Sequence, residues 1–92
     1  MSSLKSERVK RVKFAEHAHG KFALLRKYGF EIDESTVRCV IENPSRLDSR
    51  GNQLLALKPM DQEHAVRVFH EKVNHNIVVI TFYPVKRVRF HV

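Results

Sequence analysis

Apolar and polar positions along this chain repeat first at a helical period and then, after Pro44, at a period of two. Over residues 16–28 the apolar positions Ala18, Phe22 and Leu25 recur at helical spacing, with Leu24 and Tyr28 flanking them. Gly29 stops that helix, and Gly20 within it weakens the pattern slightly. The second helix is marked more sharply. Asp33 caps it, Glu34 sits in the first turn where the helix dipole favours a negative charge, and Val37, Val40 and Ile41 form the apolar stripe. Asn43-Pro44 ends it, because a residue before proline is pushed out of the helical region. A connection as short as residues 29–32 makes the two helices antiparallel.

Beyond Pro44 the pattern is that of strands. Ser49-Arg50-Gly51-Asn52 is a turn signal between a short strand near 46–48 and a stronger one over 53–58. Residues 59–63 form a second turn. Residues 64–72 then alternate, with Val66 and Val68 on one face and Arg67, Phe69 and Glu71 on the other. Asn74-His75-Asn76 leads into the run Ile77-Val78-Val79-Ile80, followed by Thr81-Phe82-Tyr83-Pro84. So short and β-branched a run reads as a strand buried on both faces. Ahead of the first helix, Val12 and Phe14 alternate with Arg11 and Lys13, which predicts a short edge strand over 8–14 with a cationic outer side. A basic amphipathic helix is the alternative there.

The resulting order is β-α-α-β-β-β-β. It predicts an α+β fold with two antiparallel helices packed on one face of a mainly antiparallel sheet. Ninety-two residues make a single domain, with 1–7 a flexible basic arm and 8–92 the folded part. On the last strand, alternation sends Val78, Ile80 and Phe82 one way and Val79, Thr81 and Tyr83 the other. Val66, Val68, Leu55 and Leu57 are the natural company for the helix-covered side. Arg67, Tyr83 and Lys58 then fall on the open side, with Arg87 just beyond.

Charge sharpens this picture. The formal net charge is +7, unevenly spread. Residues 1–29 carry eight Lys/Arg against two acids, residues 30–64 four against seven, and residues 65–92 five against one. If the two basic ends meet in the fold, they form one positive face, the footprint of a polyanion binder. Cys39 is the single cysteine, so no internal disulfide forms, and its place among Val37, Val40 and Ile41 predicts a buried structural thiol in a reducing, cytoplasmic setting. The first residues, MSSLKSERVKRVK, lack the apolar core of a signal peptide, and the longest apolar stretch, 77–85, is too short to cross a bilayer as a helix. The expectation is a soluble protein with no membrane partner.

A basic groove with an aromatic residue suits single-stranded nucleic acid, since cations neutralise phosphate and an aromatic plane stacks a splayed base. Cleaving RNA there requires a base for the 2′-hydroxyl proton, cations for the crowded phosphate and an acid for the leaving oxygen. Arg67, Arg87 and Lys58 are candidates for the cations, and Tyr83, His17 or His91 for proton transfer. Lys13, Lys21, Lys86 and Arg89 are candidate contacts to the backbone phosphates. The six histidines include His17-x-His19, His64, His70, His75 and His91, yet no HExxH, no Cys-His spacing and no carboxylate cluster accompanies them. No metal and no cofactor is expected.

Taken in order, His17-Ala18 followed by Lys21, Val37 through Asn43-Pro44, the turn at Gly51, Val66-Arg67-Val68 and Val79-Ile80-Thr81-Phe82-Tyr83-Pro84-x-x-Arg87 resemble the small RelE/ParE-type toxin superfamily. More specifically they resemble its branch with a helix-opening His-Ala, an Asn-Pro after helix two and a terminal Val-x-Thr-x-Tyr-Pro, over about residues 12–89. The resemblance implies a RelE-like fold with an open sheet face, an endoribonuclease acting on free or ribosome-bound mRNA, and a small antitoxin protein that wraps it. It also assigns roles: Arg67, Tyr83 and Arg87 match the strand residues such toxins use, and His17 matches the helix-opening histidine. Lys21 stands where an arginine is expected, and some members of the superfamily act on topoisomerase instead. A homodimer is compatible with so small a domain.

Overall fold

The computed structural model describes residues 11–92, so the expected arm over 1–7 and the start of the first strand lie outside the described residues. The elements are β1 (Arg11–Phe14), α1 (Glu16–Lys27), α2 (Glu34–Glu42), β2 (Arg46–Arg50), β3 (Gln53–Pro59), β4 (His64–Val73), β5 (Asn76–Lys86) and a single closing turn of helix, α3 (Arg87–Phe90). The protein is an α+β domain with a five-stranded sheet ordered β1-β5-β4-β3-β2. Neighbouring strands are antiparallel except β1, which runs parallel to β5.

Each helix is shaped by local chemistry. The Asp33 carboxylate accepts from the Thr36 amide at 2.9 Å and from the Ser35 and Thr36 hydroxyls, which satisfies the exposed start of α2 and holds that carboxyl below its ordinary range, the Thr36 amide bond contributing most. At the end of α1, Gly29 takes φ +88 and its N–H donates to Arg26, a left-handed cap that a glycine adopts without strain. Helix α1 rests on β5 and β1, and α2 on β4 and β3. Between them and the sheet lie Ala18, Leu25, Ile32, Val37, Val40, Ala56, Val66, Val68, Ile77, Val79 and Phe82. Phe22 joins α1 to this core by standing 4.7 Å from the Phe82 ring and 5.4 Å from Phe14.

Three expectations about facing are corrected. First, the run 77–80 is not buried on both faces: Ile77 and Val79 are buried with Phe82, whereas Val78, Ile80 and Thr81 are only half-buried. The cause is a β-bulge. Phe69 pairs with Thr81 but His70 pairs with Val79, so Ile80 is an extra residue and the alternation changes phase there. Val79 therefore belongs to the core and Val78 to the other side, opposite to a strict alternation counted back from Phe82. Second, Leu55 and Leu57 pair with Phe69 and Arg67, which places them on the open side, while Ala56 pairs with Val68 in the core. Third, Cys39 is exposed. It sits two residues from Val37 and one from Val40, off the i, i+3, i+4 stripe that faces the sheet.

Candidate nucleic-acid interface

Cross-strand partners project to the same side of a sheet, so the register defines the open face directly. One row runs Arg46, Leu57, Arg67, Tyr83 across β2, β3, β4 and β5. The next runs Asp48, Leu55, Phe69, Thr81, and beyond the bulge a third runs Arg50, Gln53, Glu71, Val78 and Lys13. Arg67 and Tyr83 are thus direct neighbours on the two central strands, both half-buried. Lys21 on α1 reaches round to them: its ammonium stands 5.5 Å from the centre of the Tyr83 ring. This is feasible because β1 covers only residues 76–79 of β5, which leaves the Tyr83 end of that strand beside α1.

The far end of the open face is closed by the end of the described chain. The Arg67 guanidinium carbon lies 5.3 Å from the centre of the Phe90 ring on α3. Ala65 and Leu57 are buried although they face away from α1 and α2, and the α3 turn packs against β5 at this end. Arg87 fastens that turn. Its Nε donates to the carbonyl of Val92 at 3.0 Å, its guanidinium donates to the carbonyl of Asp61 at 2.9 Å, and its own backbone N–H donates to Glu63 at 2.9 Å. Asp61 is itself held by the turn before β4, its carboxylate accepting from the amides of Glu63 and His64. Those two amides, Glu63 first, keep the Asp61 carboxyl below its ordinary range.

Of the residues singled out in the sequence, the structure brings Arg67, Tyr83 and Lys21 together, with Lys13 on the same face two rows away. His17 is exposed in the first turn of α1, one helical turn before Lys21 and so on the same side of that helix. Arg87 is beside the face but spends its guanidinium on main-chain carbonyls. Lys58 is not on the face. It pairs with Val66 on the helix side, and its ammonium donates to the Asn43 carbonyl at 3.0 Å, closing the end of α2. Lys86 pairs with His64, again with helix-side parity, at the exposed end of β5. Arg89 and His91 are exposed on and just after α3.

Sequence reasoning missed Arg46, Arg50 and Phe90, and placed Phe69 on the Arg67 side without giving it a role. The β2 arginines were readable in principle from the two-residue turn, which sets the β2–β3 register and hence their side. Phe90 carried no such signal, because nothing local announces that the chain turns back after Pro84. Among the described residues, no His, Cys, Asp or Glu side chains gather in threes at metal-binding distances. No helix of the described residues is long and apolar enough to cross a membrane. No protein-family model matches the chain, and neither the curated proteins nor the solved structures contain a match to it.

Proposed function

We infer that this chain is a RelE-like, toxin-type RNA-binding protein that works through its open sheet face in the cytoplasm, cleaves mRNA there without a metal, and is neutralised by a small antitoxin. The observation that carries this reading is that Arg67 pairs with Tyr83 across β4 and β5 while the Lys21 ammonium from α1 stands over the Tyr83 ring. An arginine and a lysine in the neighbourhood of a phenol suit the chemistry: the cations would balance charge on a phosphate and the phenol would exchange a proton or stack a base. Lys13, Arg46 and Arg50 extend positive charge across the same face for the flanking phosphates. The element order β-α-α-β-β-β-β is that of the RelE-like expectation, with α3 added.

A second reading is favoured by Arg87. With its Nε and one terminal nitrogen bonded to Val92 and Asp61, Arg87 is turned toward the main chain rather than toward Tyr83, and a non-catalytic RNA-binding or protein-interaction module of the same fold follows. Induction in a bacterial host, with mapping of mRNA 5′ ends, separates the two. Growth arrest with new ends, lost together in Arg67→Ala and Tyr83→Phe, supports the ribonuclease. Intact mRNA, with purified protein that binds single-stranded RNA in a strongly salt-dependent way, supports the binding module. Soluble protein that neither cleaves nor binds RNA refutes both RNA readings.

A further inference from the structure

Strand β2 lies at the end of the strand order among the described residues, and every one of its five residues is exposed. Its sequence is Arg46-Leu47-Asp48-Ser49-Arg50. Natural edge strands are usually guarded by charges of one sign, which repel a second copy. Here the charges alternate in sign along the open side, Arg46 already lying 3.3 Å from Asp48 within the strand. Leu47, on the opposite side, is 52 % exposed.

The backbone narrows the register without fixing it, since an axis at Ser49 would also pair outward groups and set Asp48 against Arg50. The two-residue turn at Gly51-Asn52 makes Arg50 and Gln53 a hydrogen-bonded pair. Counting back by twos, Asp48 and Arg46 also turn their N–H and C=O inward to β3, while Ser49 and Leu47 turn theirs outward. A second copy laid antiparallel about a two-fold axis at Leu47 would meet those outward groups with its own. Leu47 would then face Leu47, Arg46 would face Asp48 and Asp48 would face Arg46. Shifting the axis to Asp48 instead sets Asp48 against Asp48 and Arg46 against Arg50, so like charges oppose throughout.

The helix side of this edge adds apolar area. Leu47 borders a recess of about 170 Å³ that also includes Ile41, Leu54 and His70, beyond the end of α2. A partner strand bringing its own Leu47 alongside extends that apolar strip across the seam.

We propose that two copies of this chain associate through β2, antiparallel about Leu47, to form one continuous ten-stranded sheet. The occupant is a second copy because the edge is complementary to itself: opposite charges meet, identical leucines meet, and the outward backbone groups of Leu47 meet their own. So short an edge forms a small interface, so the dimer appears as concentration rises from low micromolar towards millimolar. The arrangement does not depend on what the open face does, although it would join two such faces through Arg46.

Sedimentation equilibrium on the full chain tests this. The wild type is expected to rise from one to two monomer masses with concentration, and D48R to remain at one because Arg46 then meets an arginine. The charge-swapped pair R46D/D48R is expected to recover the wild-type curve, since its edge is again self-complementary. A wild type that stays monomeric, a D48R that dimerises as the wild type does, or a swap that fails to recover while its circular dichroism is native each overturns the proposal. Hydrogen exchange of the wild-type amides gives an independent reading without any variant. Leu47 and Ser49 should slow with concentration while Gly51 does not, and unchanged rates at Leu47 overturn the arrangement.

Discussion

Replacing Val79 by alanine takes two methyl carbons out of a side chain with no exposure, packed among the buried residues beneath α1. At about 0.8 kcal/mol per buried methylene, plus the cavity left behind, the loss is about 2–3 kcal/mol. For a domain of this size each kcal/mol shifts the melting temperature by about 4–8 °C, so a fall of roughly 10–20 °C is expected. The neighbouring change Val78→Ala is the control. Val78 is half-buried on the open side, beside Lys13 and Glu71, and its truncation should cost less than about 1 kcal/mol. Thermal melts followed by far-UV circular dichroism, with urea midpoints to confirm the order, measure both. If Val78→Ala proves as damaging as Val79→Ala, the bulge at Ile80 is misplaced and the facing of the whole strand with it.

His70 is 97 % buried, and desolvation holds its imidazole below the ordinary value of 6.5, opposed in part by a hydrogen bond with the Val68 backbone and helped by the nearby Lys72 charge. Its Nδ1 has no hydrogen-bond partner among the described residues, and Glu42 and Lys72 line the same recess. The unfolded chain therefore binds the proton more readily than the folded one, and the stability this group supports is complete above pH 6.5 and falls as the pH drops below it. Urea midpoints at pH 7.5 and 5.5 should show the fall, and His70→Leu should flatten it. Lys58→Met should leave RNA affinity within about twofold of wild type, whereas Arg67→Met should lower it roughly tenfold or more, measured by fluorescence anisotropy at fixed salt. Arg87→Met removes two charge-assisted bonds to carbonyls and should cost about 1–2 kcal/mol, with faster hydrogen exchange over residues 87–90.

Both helices could be read because their apolar stripes are bounded by strong local signals, the Asp33 cap and the Gly29 stop among them. The strands of the meander were legible in number and order for a similar reason, since turn residues sit between them. What sequence could not settle was facing wherever both sides of a strand are apolar. In Leu54-Leu55-Ala56-Leu57 either parity looks like a core, and the choice falls to the register with β4, which puts the small Ala56 under α2. In Val78-Val79-Ile80-Thr81 one unpaired residue reverses the phase, and no side chain marks it. Arg67 and Tyr83 were nevertheless placed on a shared side, because both lie beyond the bulge and alternation holds between them and Phe82. Lys58 went astray by the same logic run on the wrong parity. Arg87 was read as a free cation because its partners, Asp61 and Val92, are carbonyls, and carbonyls have no signature in a sequence.

The one parallel pairing in the sheet has a consequence for how the protein comes into being. Among the described residues β1 has β5 as its only neighbour in the sheet, and β5 is synthesised after the four other strands. The first strand must therefore wait, unpaired, while α1, α2 and the hairpins are made. Helix α1, which rests on β5 and β1, waits with it. Contacts that span so much of the chain form late and slowly. A nascent chain still lacking β5 has neither the Arg67–Tyr83 pairing nor a seat for Lys21, so the basic face is completed only once β5 has been made.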